Sequence, residues 1–132
     1  MSGGIFSRPQ VNLFVDDVPA SAGFFLDHCG FAQTFRTPRE GDPVHVEMVL
    51  DGFTLGIADH ATGEAEHALG GSTPGLPQCD LTLWCDDADA AYERLVTAGA
   101  TPVRGPHDFL DNRAAWVKEP GGHLVSVVAR AR

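Results

Sequence analysis

The chain has 132 residues, enough for one domain with a sizeable core, and 43% of them are hydrophobic, an ordinary share for a soluble globular protein. Nine Lys and Arg against 18 Asp and Glu leave a formal net charge of −9, and so few scattered cations argue against nucleic acid as a partner. No apolar run reaches transmembrane length, the N-terminal stretch has no signal-peptide core, and Cys29, Cys79 and Cys85 are an odd set without metal-motif spacing; reduced thiols, a cytoplasmic setting and no membrane partner are expected.

In chain order, residues 9–15 alternate and are rich in Val, Leu and Phe, which predicts a strand. Asp17 is placed to cap a helix running to about Cys29, with Pro19 in its first turn and Gly30 just past its end. Residues 31–36 predict a short strand, and 39–43 a loop. Val44–Leu50 and Phe53–Ala58 flank Asp51-Gly52, a strong hairpin signal. A Gly-, Ala-, Ser- and Pro-rich connector follows over 60–79, with one helical turn near Glu64–Leu69. Asp80–Cys85 then predicts a strand, Asp87–Ala98 a helix with Ala91, Leu95 and Ala98 on one face, and Thr101–Arg104 a short strand. Asn112–Lys118 and His123–Ala129 predict a hairpin around Glu119-Pro120-Gly121-Gly122.

The second half restates the first. Val11-Asn-Leu-Phe-Val-Asp-Asp17 aligns with Leu81-Thr-Leu-Trp-Cys-Asp-Asp87, and Asp51-Gly-Phe-Thr-Leu-Gly-Ile57 with Gly121-Gly-His-Leu-Val-Ser-Val127, at one shift of 70 positions. Equal spacing of both anchors implies two copies of a strand-helix-strand-strand-strand unit, residues 9–59 and 80–130, within one domain spanning 1–132.

Val15-Asp16-Asp17-Val18 leading into an aromatic-rich helix, and Glu119-Pro120-Gly121-Gly122-His123 leading into the last strand, resemble the vicinal oxygen chelate superfamily. That group includes glyoxalase I, extradiol dioxygenases, fosfomycin-modifying enzymes and bleomycin-type resistance proteins. The resemblance implies an α+β fold in which two βαβββ modules form an open, concave mixed sheet, paired in a homodimer. It is specific for fold and weak for function, because the fold hosts many chemistries.

In the metalloenzymes of that group, one ligand comes from the start of each module's first strand and one from each module's last strand. The resemblance puts these at Gln10, Gly56, Asp80 and Ser126. An amide, a bare backbone, one carboxylate and a hydroxyl do not match the Cys, His or carboxylate set that holds zinc or nickel. A one-residue slip substitutes mostly apolar residues, so neither register provides the usual centre; no metal, no cofactor and no catalytic residue are expected. A relocated cluster remains open. In the Asp51-Gly52 hairpin, Glu47 pairs with Gly56 and His45 with Ala58, so the Glu47 carboxylate could fill the space above Gly56. His45, Glu47 and Asp80 could then form an unusual metal cluster, His45 and Glu47 an acid–base pair, or all three could be solvated sheet residues.

Strand period places Gln10, Asn12 and Phe14, and Asp80, Thr82 and Trp84, on the inward face with Ser126, His45 and Glu47. The opposite face, with Val11, Leu13, Val15, Leu81, Leu83, Cys85, Val125 and Val127, is apolar and is expected to pack on the helices. The longer second turn leaves the direction of Trp116 open. Ten residues thus form the expected ligand-binding set: Gln10, Asn12, Phe14, His45, Glu47, Asp80, Thr82, Trp84, Trp116 and Ser126. Aromatic walls with a few polar groups suit a small-molecule pocket. The expected function is metal-independent sequestration of an antibiotic or other aromatic or cationic natural product, as in the drug-binding resistance members that the chain resembles. The alternative is a glyoxalase-like lyase, isomerase or epimerase using His45 and Glu47; a domain that serves only to dimerise is a third reading.

Overall fold

Among the described residues, eight strands and three helices follow the order β1 (Gln10–Val15), α1 (Val18–His28), β2 (Ala32–Thr37), β3 (His45–Leu50), β4 (Phe53–Asp59), α2 (His60–His67), β5 (Leu81–Trp84), α3 (Ala88–Thr97), β6 (Thr101–Phe109), β7 (Asn112–Lys118) and β8 (Leu124–Arg130). They are seen in a computed structural model that describes Gly4 and residues 8–67 and 79–131. The chain divides into two compact units, Met1–Gly71 and Ser72–Arg132.

Each unit carries one four-stranded mixed sheet. The first has the order β1-β4-β3-β2 and the second β5-β8-β7-β6; β1 and β4, and β5 and β8, are parallel, and the remaining neighbours antiparallel. This is the βαβββ plan, twice, that the repeat implies.

Local chemistry explains the elements. Asp17 and Asp87 are extended N-caps whose carboxylates accept from Ala20 N (3.1 Å) and Ala90 N (3.0 Å). The β3–β4 turn takes Asp51 and Gly52 at φ +49° and +80°, the positive-φ pair that a two-residue hairpin requires. Its register is the expected one, with Leu50 opposite Phe53, Val49 opposite Thr54, Glu47 opposite Gly56 and His45 opposite Ala58. One face of the first sheet, with Leu13, Val46, Met48, Leu55 and Ile57, is buried with Phe24 and Phe25 of α1; in the second unit Val117, Val125, Val127 and Ala115 are buried, as is Leu95 of α3. Val11 departs from the expected packing and is 46% exposed, because it lies near the start of an outer strand.

Two stretches differ from expectation. β6 runs to Phe109 rather than stopping at Arg104. Pro102, Gly105 and Pro106 predict a break, but β6 is an outer strand, where a missing N–H is tolerated. Its register shifts between Pro102 and Arg104 and again between Arg104 and His107 to accommodate them. The second helix begins at His60, earlier than the expected turn at Glu64–Leu69, because Asp59 at the end of β4 accepts from Thr62 N (2.9 Å) and Thr62 Oγ1 (2.8 Å). Leu69 and most of the expected connector lie outside the described residues. Among the described residues no helix is long and apolar enough to cross a membrane.

Candidate functional site

Cross-strand partners share a face, so the registers order the non-helical face of each sheet into rows. In the first sheet one row reads Asn12, Gly56, Glu47, Phe35, and the next Phe14, Ala58, His45, Thr37. In the second sheet the matching rows read Thr82, Ser126, Trp116, Arg104 and then Trp84, Val128, Ala114, His107. Trp116 therefore shares the face of Ser126 and Thr82 and holds the place that Glu47 has in the first sheet.

Four of the expected residues of the first module form a hydrogen-bonded chain. Gln10 Nε2 donates to Asn12 Oδ1 (2.9 Å) and to Glu47 Oε2 (3.2 Å), and His45 Nε2 lies 3.0 Å from the same carboxylate oxygen. The hydrogen bonds from His45 and then Gln10 hold the Glu47 carboxyl below its ordinary value. Glu47 is thus an ionised acceptor, and His45 Nε2 carries the proton between them. The glycine opposite Glu47 is essential to this arrangement. A Cβ on Gly56 would collide with the Asn12 amide oxygen and come within 3.1 Å of Asn12 Cγ and 3.4 Å of His45 Cε1. The space above Gly56 is therefore filled by Asn12 with the His45 ring beside it, not by Glu47 as expected. Phe14, the fifth expected residue, stacks on His60 (centroids 6.2 Å, 19° between planes), and His60 Nδ1 meets Asp16 Oδ1 at 3.1 Å.

The second module's face is aromatic. Trp116 Nε1 donates to Asp80 Oδ2 (3.0 Å), and the His107 ring stacks on the indole (5.8 Å, 24°), held by a 2.8 Å bond between His107 Nδ1 and the Gly105 carbonyl. Ser126, 1% exposed, donates to Thr82 Oγ1 at 3.0 Å. Trp84 is 62% exposed.

Phe35 and His107 were not expected on these faces, nor His60 of α2 against Phe14. A register shift between Gln33 and Phe35 disrupts the alternation that would have faced Phe35, His107 lies beyond the expected end of β6, and His60 was read as connector.

The donors at the four positions implied for metal ligands do not fit a divalent ion. Gly56 has no side chain, Gln10 is bonded to Asn12 and Glu47, Asp80 to Trp116, and the Ser126 hydroxyl is buried against Thr82. Nor, among the described residues, do three of His, Cys, Asp and Glu converge as a relocated centre would need. Burial pushes the Cys85 thiol above its usual value, the reverse of what a nucleophile requires.

A separate open cavity of about 450 Å³ lies in the second module, at the N-terminus of α3, among Asp86, Asp87, Asp89, Asp108, Leu110 and Arg113. Arg113 spans it, donating to both oxygens of Asp89 (2.9 and 3.2 Å) and to Asp108 (3.2 Å). It contains none of the expected site residues, and Arg113 pairs with two of its four aspartates.

Residues 8–127 match the family model described as Glyoxalase/Bleomycin resistance protein/Dioxygenase superfamily. An uncharacterized protein of Mycobacterium bovis is 29% identical over 119 residues, covering 85% of this chain and 76% of its own. Among solved structures, a glyoxalase/bleomycin resistance protein/dioxygenase family enzyme from Burkholderia phytofirmans superposes with a TM-score of 0.81 at 20% identity, covering 95% of this chain and 99% of its own. A fosfomycin resistance protein from Listeria monocytogenes, complexed with Mn(II) and a dihydroxypropylphosphonic acid, superposes with a TM-score of 0.70 at 14% identity, covering 99% and 93%. At these identities the structural likenesses concern the fold.

Proposed function

The chain belongs to the glyoxalase/bleomycin resistance protein/dioxygenase superfamily, and from that premise we propose that it is a metal-independent protein that binds, and thereby sequesters, an aromatic or cationic small molecule such as an antibiotic. The carrying observation is the donor set at Gln10, Gly56, Asp80 and Ser126, which is committed to internal hydrogen bonds or absent and so leaves the two faces to an organic ligand. Exposed Trp84 and the Trp116–His107 stack supply flat apolar area, and the net charge of −9 favours capture of a cation. The binding set is Gln10, Asn12, Phe14, His45, Glu47, Asp80, Thr82, Trp84, Trp116 and Ser126. The working form is a cytoplasmic homodimer, with no nucleic acid or membrane as partner.

A thermal-shift screen against divalent metals and planar cationic antibiotics tests the reading. An organic ligand should raise the melting temperature, dialysis against a chelator should leave it unchanged, and Trp84→Ala should weaken the ligand by about 1–3 kcal/mol. Stoichiometric nickel, zinc, manganese or iron in the purified protein would overturn it. One observation favours a second reading: His45 bonded to an ionised Glu47 is the arrangement of a general base and the group that orients it, suited to a lyase, isomerase or epimerase. Loss of turnover in Glu47→Gln with ligand affinity intact would select that reading.

A further inference from the structure

One row crosses the first sheet as Asn12, Gly56, Glu47, Phe35, a residue from each strand. The N–H groups around it are spent within the protein. Gln10 Nε2 has two N–H bonds and gives one to Asn12 Oδ1 and the other to Glu47 Oε2, which also takes the His45 Nε2 proton. Acceptors are left over. Glu47 Oε1 has no partner among the described residues, and it is open to solvent, because Ser21 Oγ is the one buried side-chain oxygen or nitrogen among them without a partner. Asn12 Oδ1 keeps a second lone pair. It lies closer to the point above Gly56 than any other atom of β1 or β3, with Asn12 Cγ (3.1 Å) and His45 Cε1 (3.4 Å) next. Two acceptors bonded to one amide nitrogen are about 5 Å apart, since its N–H bonds diverge by about 120°. Phe35, the cross-strand neighbour of Glu47, is 50% exposed. The carboxylate's one ion-pair partner among the described residues is His45, which in its neutral form donates a hydrogen bond and lends no charge; Arg8 acts on it only from beyond ion-pair distance.

We propose that this row binds the protonated nitrogen of a small organic cation that carries N–H bonds, a primary ammonium or a guanidinium. Its N–H bonds donate to the Glu47 carboxylate and to Asn12 Oδ1, and the ring or charge beside them packs against Phe35. A carboxylate, an amide oxygen and an aromatic ring in one row complement a cationic donor. A quaternary ammonium has the charge but no proton to give, and an alcohol has a proton but no charge. Because Gln10 and His45 already hold both acceptors, little side-chain freedom is lost on binding. This assignment rests on the ligand-binding reading and names the head group of its ligand.

Four probes share a benzyl ring and differ in the head group: benzylamine, benzylguanidine, benzyltrimethylammonium and benzyl alcohol. Titrated into the ¹⁵N-labelled full chain, benzylamine or benzylguanidine should shift the amides of Asn12, Glu47 and Phe35. The tighter of the two identifies the head group. It should bind at least about fivefold more tightly than the quaternary ammonium and the alcohol, the size expected of hydrogen bonds to a charged group that water still reaches. Glu47→Gln should erase that preference while the spectrum stays that of the folded protein. Asn12→Asp keeps an acceptor for Gln10 and adds a charge, so it should tighten the preferred probe by about threefold. Equal binding of all four probes, shifts confined to the surroundings of Trp84, a preference that survives Glu47→Gln, or an Asn12→Asp affinity no higher than that of wild type would overturn the assignment yet leave the broader ligand-binding reading standing. That reading fails separately, if the thermal-shift screen finds a metal and no organic ligand. No response to any probe at millimolar concentration also overturns the assignment of the head group.

Discussion

Gly56 shows how one missing side chain can organise a surface. In the second module the matching residue is Ser126, whose hydroxyl is satisfied by Thr82. In the first, the absence of a Cβ lets Asn12 place its amide oxygen over β4, where it accepts from Gln10 of its own strand, and the chain to Glu47 and His45 follows. Gly56→Ala should therefore cost about 1–3 kcal/mol by overpacking, measured as a shift in urea midpoint. Most of that loss should be absent when the same change is made in Asn12→Ala, so a double-mutant cycle must show coupling. Glu47 gives a pH signature. Its folded-state carboxyl lies below the ordinary value, so its contribution is complete above the unfolded-state value and lost as pH falls through the folded one. The stability gap between wild type and Glu47→Gln should accordingly narrow between about pH 5 and pH 3; a gap constant over that range would contradict the hydrogen-bonded carboxylate.

At the scale of elements, the turn between β7 and β8 is held by one buried acid. Glu119, 2% exposed, accepts from Gly121 N (2.8 Å), from His123 N (3.3 Å) and from His123 Nδ1 (2.8 Å). Glu119→Gln turns one acceptor into a donor that faces donors, and should cost about 1–3 kcal/mol in chemical denaturation. The turn was legible in the sequence as Glu-Pro-Gly-Gly, but the acid's role was not, because a charged residue beside Pro and Gly reads as solvated loop. The same contrast holds elsewhere. Asp17, Asp87 and Asp51-Gly52 act through backbone positions within a few residues, so caps, hairpin register and the polar chain's neighbours could be read from spacing. Phe35 and His107 sit beyond register shifts, where period-2 counting loses the face, and the Asn12–Gly56 contact joins β1 and β4 across a helix and two intervening strands. Trp116 needed the observed β7–β8 register to be faced at all.

For the molecule as a whole, the repeat has kept a scaffold and diverged in surface. Both modules share strand order, parallel first-to-last strand pairing and an Asp-capped helix. One presents amides, a carboxylate and an imidazole; the other presents indoles. The Burkholderia phytofirmans structure matches almost all of the chain with one residue in five identical, as expected if core pattern is retained and face chemistry drifts. The outer hairpin strands carry a further consequence. β2 has a register break at Gln33 and Phe35, and β6 has two, with prolines at 102 and 106. Such breaks and prolines blunt both margins as templates for a passing polypeptide, which disfavours fibril seeding by strand addition along those borders in the native state.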